Sequence, residues 1–151
     1  MKRIFFIGVA IFLSGRLTAQ SATAVYTQDD SVVVYRMLVQ GKQLHGSNAE
    51  KAMQLVAEAA TLAEKGHFTN AFIEANMLLG QWHFDHRSYL PALSSLEKAK
   101  AACLQTAADN HLGLVYKLIA DVYARRSMFR QANDNYREAS LVFRRTNQLK
   151  N

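Results

Sequence analysis

Few residues in this chain combine the type and spacing that chemistry needs. His83, Asp85 and His86 place two imidazoles and a carboxylate within four positions, which are donor types that a zinc ion accepts. His83 continues an apolar helical pattern, however, and His86 falls where that pattern breaks, so packing and turn roles are expected and no metal is. Cys103 follows Leu93, Leu96 and Ala99 on one helical stripe, with no His or acid placed by sequence to lower its pKa. It reads as a small buried hydrophobe, not a nucleophile. A single cysteine supports neither an internal disulfide nor a cysteine zinc site. The chain lacks a glycine-rich phosphate loop, an HExxH pair and a GxSxG elbow. His67, Phe68 and Trp82 fit packing and turns better than a ligand cage. The expectation is a protein that is not an enzyme and carries no cofactor.

What such a chain would do depends on the elements it builds. Its 151 residues suit one domain, and 50% apolar residues with a single proline exclude disordered, collagen-like and low-complexity classes. Met1-Lys2-Arg3 is a basic start, followed by Ile4 to Gly15, twelve mostly apolar residues. As a helix that run spans about 18 Å, short of a bilayer core of about 30 Å. It reads as a signal peptide over residues 1–19 cut after Ala19, with Ala22-Thr23-Ala24 as a second site; the alternative is a first helix of the fold. The expected product is exported, periplasmic or extracellular, without stable membrane insertion. Without Lys2, Arg3 and Arg16 the 18 basic residues become 15 against 12 acidic ones, and the net charge falls from +6 to +3. That charge is spread along the chain, and its one cluster, Arg137, Arg144, Arg145 and Lys150, reads as a solvated helix face. Nucleic acid is not an expected partner.

Internal repetition is the strongest signal. Ala52, Ala92 and Ala132 are 40 residues apart, as are Ala59, Ala99 and Ala139. Val32, Phe72 and Leu112 share the register, with Val39, Leu79 and Ile119, and with Val56, Leu96 and Tyr136. Asp30, Asn70 and Asn110 share it too, and are expected to cap helix starts. Three repeats follow, at about 30–69, 70–109 and 110–148, after a flexible stretch over 20–29. Within each, apolar steps of three and four predict two helices: 31–44, 48–65, 71–85, 89–106, 111–125 and 128–147. Ser47 with Glu50 has the spacing of a capping box. Ser88 and Ser127 are the expected caps of the other second helices, and Pro91 sits in a first turn, where its missing N–H costs nothing. Gly80 and Ala120 leave room for close approach to Ala92 and Ala132 of the partner helices.

These positions resemble the tetratricopeptide repeat family, whose motif sets a large residue, Leu-Gly and Tyr in one helix and small residues in the next. Here the counterparts are Asn76-x-x-Leu79-Gly80-x-x-His83 and Tyr116-x-x-Ile119-Ala120-x-x-Tyr123. The first repeat, Arg36-x-x-Val39-Gln40-x-x-Gln43, keeps only the second-helix half of the pattern. The usual period is 34, and longer second helices are expected to account for the 40 seen here. Such long repeats resemble those in exported sensory halves of bacterial histidine kinases. The resemblance implies an all-α, right-handed solenoid of helical hairpins that binds a protein or peptide in a concave groove walled by first helices. On four-residue steps that wall would present Met37, Gly41 and His45, then Met77, Gln81 and Asp85, then Lys117, Asp121 and Arg125. Family members that grip a terminal carboxylate carry Lys and Asn where Met37 and Gly41 stand, so that activity is not implied. An interaction scaffold is the leading expectation, and a sensory or signalling module is the alternative.

The final helix carries Leu141, Val142 and Phe143 in its last turns, where a repeat stack would normally present a polar cap. Three coverings fit this association face: a homodimer through the last repeat, a partner protein, or further repeats of a longer sensor.

Overall fold

The computed structural model describes residues 28–148, and the expected leader and most of the stretch after it lie outside them. Six helices follow in order: α1 (Gln28–His45), α2 (Ala49–Lys65), α3 (Thr69–Asp85), α4 (Tyr89–Thr106), α5 (Asp109–Arg125) and α6 (Phe129–Gln148). No strand occurs among the described residues. The helices form three antiparallel pairs, α1–α2, α3–α4 and α5–α6, and each second helix packs on the next first helix. First helices also touch one another along the row, whereas α2, α4 and α6 do not. The stack therefore has an inner wall of α1, α3 and α5 and an outer layer of second helices, the arrangement of a hairpin solenoid.

The helices lie close to the expected ranges, but the extra length per repeat is shared. First helices have 18, 17 and 17 residues, and second helices 17, 18 and 20. From α2 onward, helices begin at 49, 69, 89, 109 and 129, so the 40-residue repeat consists of two 20-residue halves. The turns between them set this rhythm. His67, Arg87, Ala107 and Ser127, again 20 apart, all have left-handed backbone near φ 51–59°. The following amide reaches five residues back each time: Phe68 to Ala63, Ser88 to His83, Ala108 to Cys103 and Met128 to Tyr123, at 2.8–3.0 Å. This is the Schellman closure, which satisfies terminal carbonyls and reverses the chain.

The turn closure also explains where the expected caps go. Asn70 and Asn110 fall inside first turns, and the residues at the cap positions of α3 and α5, Phe68 and Ala108, make no side-chain cap bond. Asp30 likewise lies within the first turn of α1. Asn48, not Ser47, caps α2: its Oδ1 accepts from the Lys51 amide at 3.0 Å, while the Ser47 hydroxyl donates to the Leu44 carbonyl. Ser88 occupies the cap position of α4 without a side-chain bond. Ser127 has become the left-handed turn residue.

The small-residue columns form the spine of the core. Ala52, Ala92 and Ala132 are 0–2% exposed, and Ala59, Ala99 and Ala139 0–4%. A methyl group on Gly80 would stand 2.5 Å from Leu96 Cγ, and one on Gly41 2.5 Å from Val56 Cγ2, so both glycines are filled by the partner helix. Two of the apolar columns break in the first repeat. Val32 and Val39 are 51% and 52% exposed, whereas Val34 and Leu38 are 1% exposed and form the core face of α1. Their counterparts Leu79, Leu112 and Ile119 are buried in clusters shared with the preceding hairpin. The break comes from a one-residue shift of α1: Gly41 meets Val56 and Ala52 where Gly80, 39 residues later, meets Leu96 and Ala92.

Replacing Gly80 by Val should cost about 1–3 kcal/mol in denaturant unfolding, because buried Leu96 cannot move aside without straining its neighbours. Ala107→Gly should raise stability by up to about 1 kcal/mol by removing a left-handed conformation that Cβ disfavours. An unchanged unfolding midpoint for Gly80→Val would mean that α3 and α4 part freely.

Candidate functional site

The residues expected along one wall are distributed over four places. Met37 is half-buried against the core shared by α1, α2 and α3. Gly41 is buried. The His45 ring stacks on Trp82 at 4.2 Å and 12°, with His86 edge-on at 6.2 Å. His86 Nδ1 lies 2.7 Å from the Trp82 carbonyl, while His45 Nε2 is buried with no hydrogen-bond partner. The α1 part of the stripe is thus turned into the junction with α3.

Met77 and Gln81 do share a surface hollow. They line a space of about 480 Å³ between α3 and α5, together with Glu74, Leu78, His111, Leu114 and Leu118. Two ends of this lining are pinned. Glu74 is ion-paired with Lys42 of α1, and Gln81 Nε2 donates to Asp85 Oδ1 at 2.9 Å. The hollow falls within the size range of ligand clefts and combines apolar walls with a few polar groups.

Asp85 and Arg125 come together elsewhere, in a crevice of about 230 Å³ with Phe84, Arg87 and Tyr89. The Arg125 guanidinium carbon stands 5.8 Å from the Phe84 ring centre. Lys117 and Asp121 face the last helix. Lys117 donates to Asp121 Oδ2 at 2.8 Å, and the Tyr136 hydroxyl of α6 donates to Asp121 Oδ1 at 2.7 Å. That bond, more than burial and the carboxylate's charge, raises the Tyr136 pKa. Lys117 and Asp121 stand 40 residues after Met77 and Gln81, on the side of α5 that meets α6, whereas the hollow takes the opposing side of α5 through His111, Leu114 and Leu118. The missed residues carried a signal: Leu114 and Leu118 stand 40 residues after Glu74 and Leu78.

At the C-terminal face, Val142 is 6% exposed and belongs to the core. The Phe143 ring lies over Gly113, within 2.6 Å of where a methyl group would be, and Leu141 is 52% exposed. Most of the remaining α6 surface is polar, with Arg130, Asp134, Arg137, Arg144 and Arg145 exposed.

No set of three or more His, Cys, Asp or Glu side chains able to hold a metal occurs among the described residues. Burial pushes the Cys103 thiol up to about 11, away from the thiolate a nucleophile needs. Burial, and then the neighbouring His86, holds the His83 pKa below its ordinary 6.5. No helix among the described residues is long and apolar enough to cross a membrane. Comparison of the chain with family models, curated proteins and solved structures finds no match in any of the three.

Two outcomes follow. Cys103 should react with iodoacetamide only after unfolding; labelling of the native chain at the rate of the denatured one would contradict its burial. Below pH 6.5 the unfolded chain takes up the His83 proton first, so stability fully present above that pH is lost as pH falls through the lower folded value. Denaturant titrations of His83→Gln should show a shallower acid decline than wild type, and an identical decline would refute the depressed pKa.

Proposed function

We propose that this chain is an exported, non-catalytic interaction scaffold of tetratricopeptide type that holds a peptide segment of a protein partner against its inner wall. The observation that carries this reading is the α3–α5 hollow, an apolar trough of about 480 Å³ with Glu74, Gln81 and His111 among its lining residues. An apolar anchor of the partner would enter between Leu78, Leu114 and Leu118. Burying one Leu- or Phe-sized side chain there contributes about 1.5–3 kcal/mol. Met77 adds a thioether that adapts to irregular apolar shapes.

The polar residues would orient what the leucines hold. Glu74 and Gln81 already have polar partners in Lys42 and Asp85. His111 offers a further hydrogen-bonding group on the opposite helix. The basic start and apolar run of residues 1–15 support the exported part of the reading. The repeated Leu-Gly and Ile-Ala positions with their paired alanines support its tetratricopeptide part.

Selection from a displayed library of random short peptides tests the proposal. The selected peptides should share an apolar residue and should bind Leu114→Asp about tenfold or more weaker. Leu104→Asp, the same change at a still more exposed leucine on α4 outside the hollow, should leave binding intact. Peptides that bind Leu114→Asp as well as wild type would place recognition elsewhere.

A further inference from the structure

Beyond one end of the α3–α5 hollow the wall changes from apolar to cationic. Leu78 and Asp85 are seven residues apart on α3, and Leu118 and Arg125 are seven apart on α5. Seven residues make two helical turns, which return to within about 20° of the same face after a rise of about 10 Å. Both first helices run in the same direction, so the crevice that holds Asp85 and Arg125 lies in line with the hollow, two turns toward the C-terminal ends of α3 and α5. Gln81 joins the two spaces: it lines the hollow and donates to Asp85 in the crevice.

The crevice suits a carboxylate. Arg87 and Arg125 set two guanidinium groups against the single carboxylate of Asp85, which Gln81 already engages. Neither arginine makes an ion pair among the described residues, whereas Arg145 is paired with Asp109. Positive charge is therefore in excess and without a fixed partner. Arg125 stands over the Phe84 ring, and a guanidinium against an aromatic face keeps its in-plane N–H groups available to fork onto a carboxylate. Phe84 and Tyr89, with ring centres 6.2 Å apart, wall the crevice, and the Tyr89 hydroxyl adds a further donor.

We infer that the segment held in the hollow carries an Asp or Glu three residues from its apolar anchor, and that Arg87 and Arg125 bind that side chain. An extended chain advances about 3.3 Å per residue, so three residues cover the rise from the level of Leu118 to that of Arg125. The peptide then lies along the seam between α3 and α5. The leucines supply burial, and the arginines select which apolar segments are accepted. This inference rests on peptide binding in the α3–α5 hollow and adds the specificity of that site.

The test runs the library selection on wild type and on Arg87→Gln/Arg125→Gln in parallel. Both arginines are exposed, and circular dichroism should show unchanged helix content; should the double variant lose helix, Arg125→Gln alone takes its place. Peptides recovered on wild type should carry an Asp or Glu three residues to one side of an apolar residue, and the variant should recover the apolar residue without the acid. Resynthesised with an amidated C-terminus, so that side chains alone supply carboxylate, an acidic peptide should bind the variant about fivefold weaker than wild type. Its counterpart with the amide in place of the acid should bind both alike, and added salt should narrow the difference for the acidic peptide. Apolar peptides recovered with no acidic preference, or an acidic preference that survives on the variant, would overturn this inference and leave the hollow standing as a peptide site. No recovery on wild type, or peptides indifferent to Leu114→Asp, would overturn the peptide reading and this inference with it.

Discussion

Each hairpin in this chain depends on two helices coming close enough for a large side chain on one to reach the backbone of the other. That approach is available only where the facing residue is small. Gly41 accepts Val56, Gly80 accepts Leu96 and Gly113 accepts the Phe143 ring, with fully buried alanine columns above and below. Helices at this distance gain dispersion contacts along much of their length, but a single extra methyl group has nowhere to go. Turn geometry and stacking order follow from it. Helices of nearly equal length, joined from α2 onward by three-residue Schellman closures, keep these small residues opposite their large partners along the row.

The repeat was legible in sequence because packing acts on side chains. Columns such as Ala52, Ala92 and Ala132 answer one steric demand three times, and the helix ranges drawn from them agree with the structure to within about three residues. The half-period of 20 was not legible. It is carried by backbone conformation at His67, Arg87, Ala107 and Ser127, four residues with no side-chain chemistry in common. The expected caps failed because the turns start α3 at Thr69 and α5 at Asp109, which puts Asn70 and Asn110 inside the first turn, past the cap position. Val32 and Val39 match their columns in type but are exposed, because α1 packs one residue out of that register: Gly41 meets Val56 as Gly80, 39 residues later, meets Leu96, and Val34 and Leu38 face the core instead.

The candidate site was half legible for a geometric reason. Four-residue steps from Met77 stay on the inner face of α3 as far as Gln81. A hollow between successive helices takes opposite sides of the two, so α5 lines it with His111, Leu114 and Leu118, while Lys117 and Asp121, at the register of Met77 and Gln81, meet α6. The proposed scaffold therefore offers an apolar trough with partnered polar groups, not a run of alternating charge. The titratable groups take structural parts: Cys103 fills core, and His45 and His86 pack around Trp82.

Because each hairpin touches only its neighbours, local stability should follow position in the row. Residue-resolved amide hydrogen exchange measures this most directly. The strongest protection should lie in α3, α4 and the adjoining faces of α2 and α5, which are covered on both sides, and it should fall toward α1 and α6. Protection that is uniform across all six helices, or greatest in α1 or α6, would contradict a stack held together by nearest-neighbour packing at small residues.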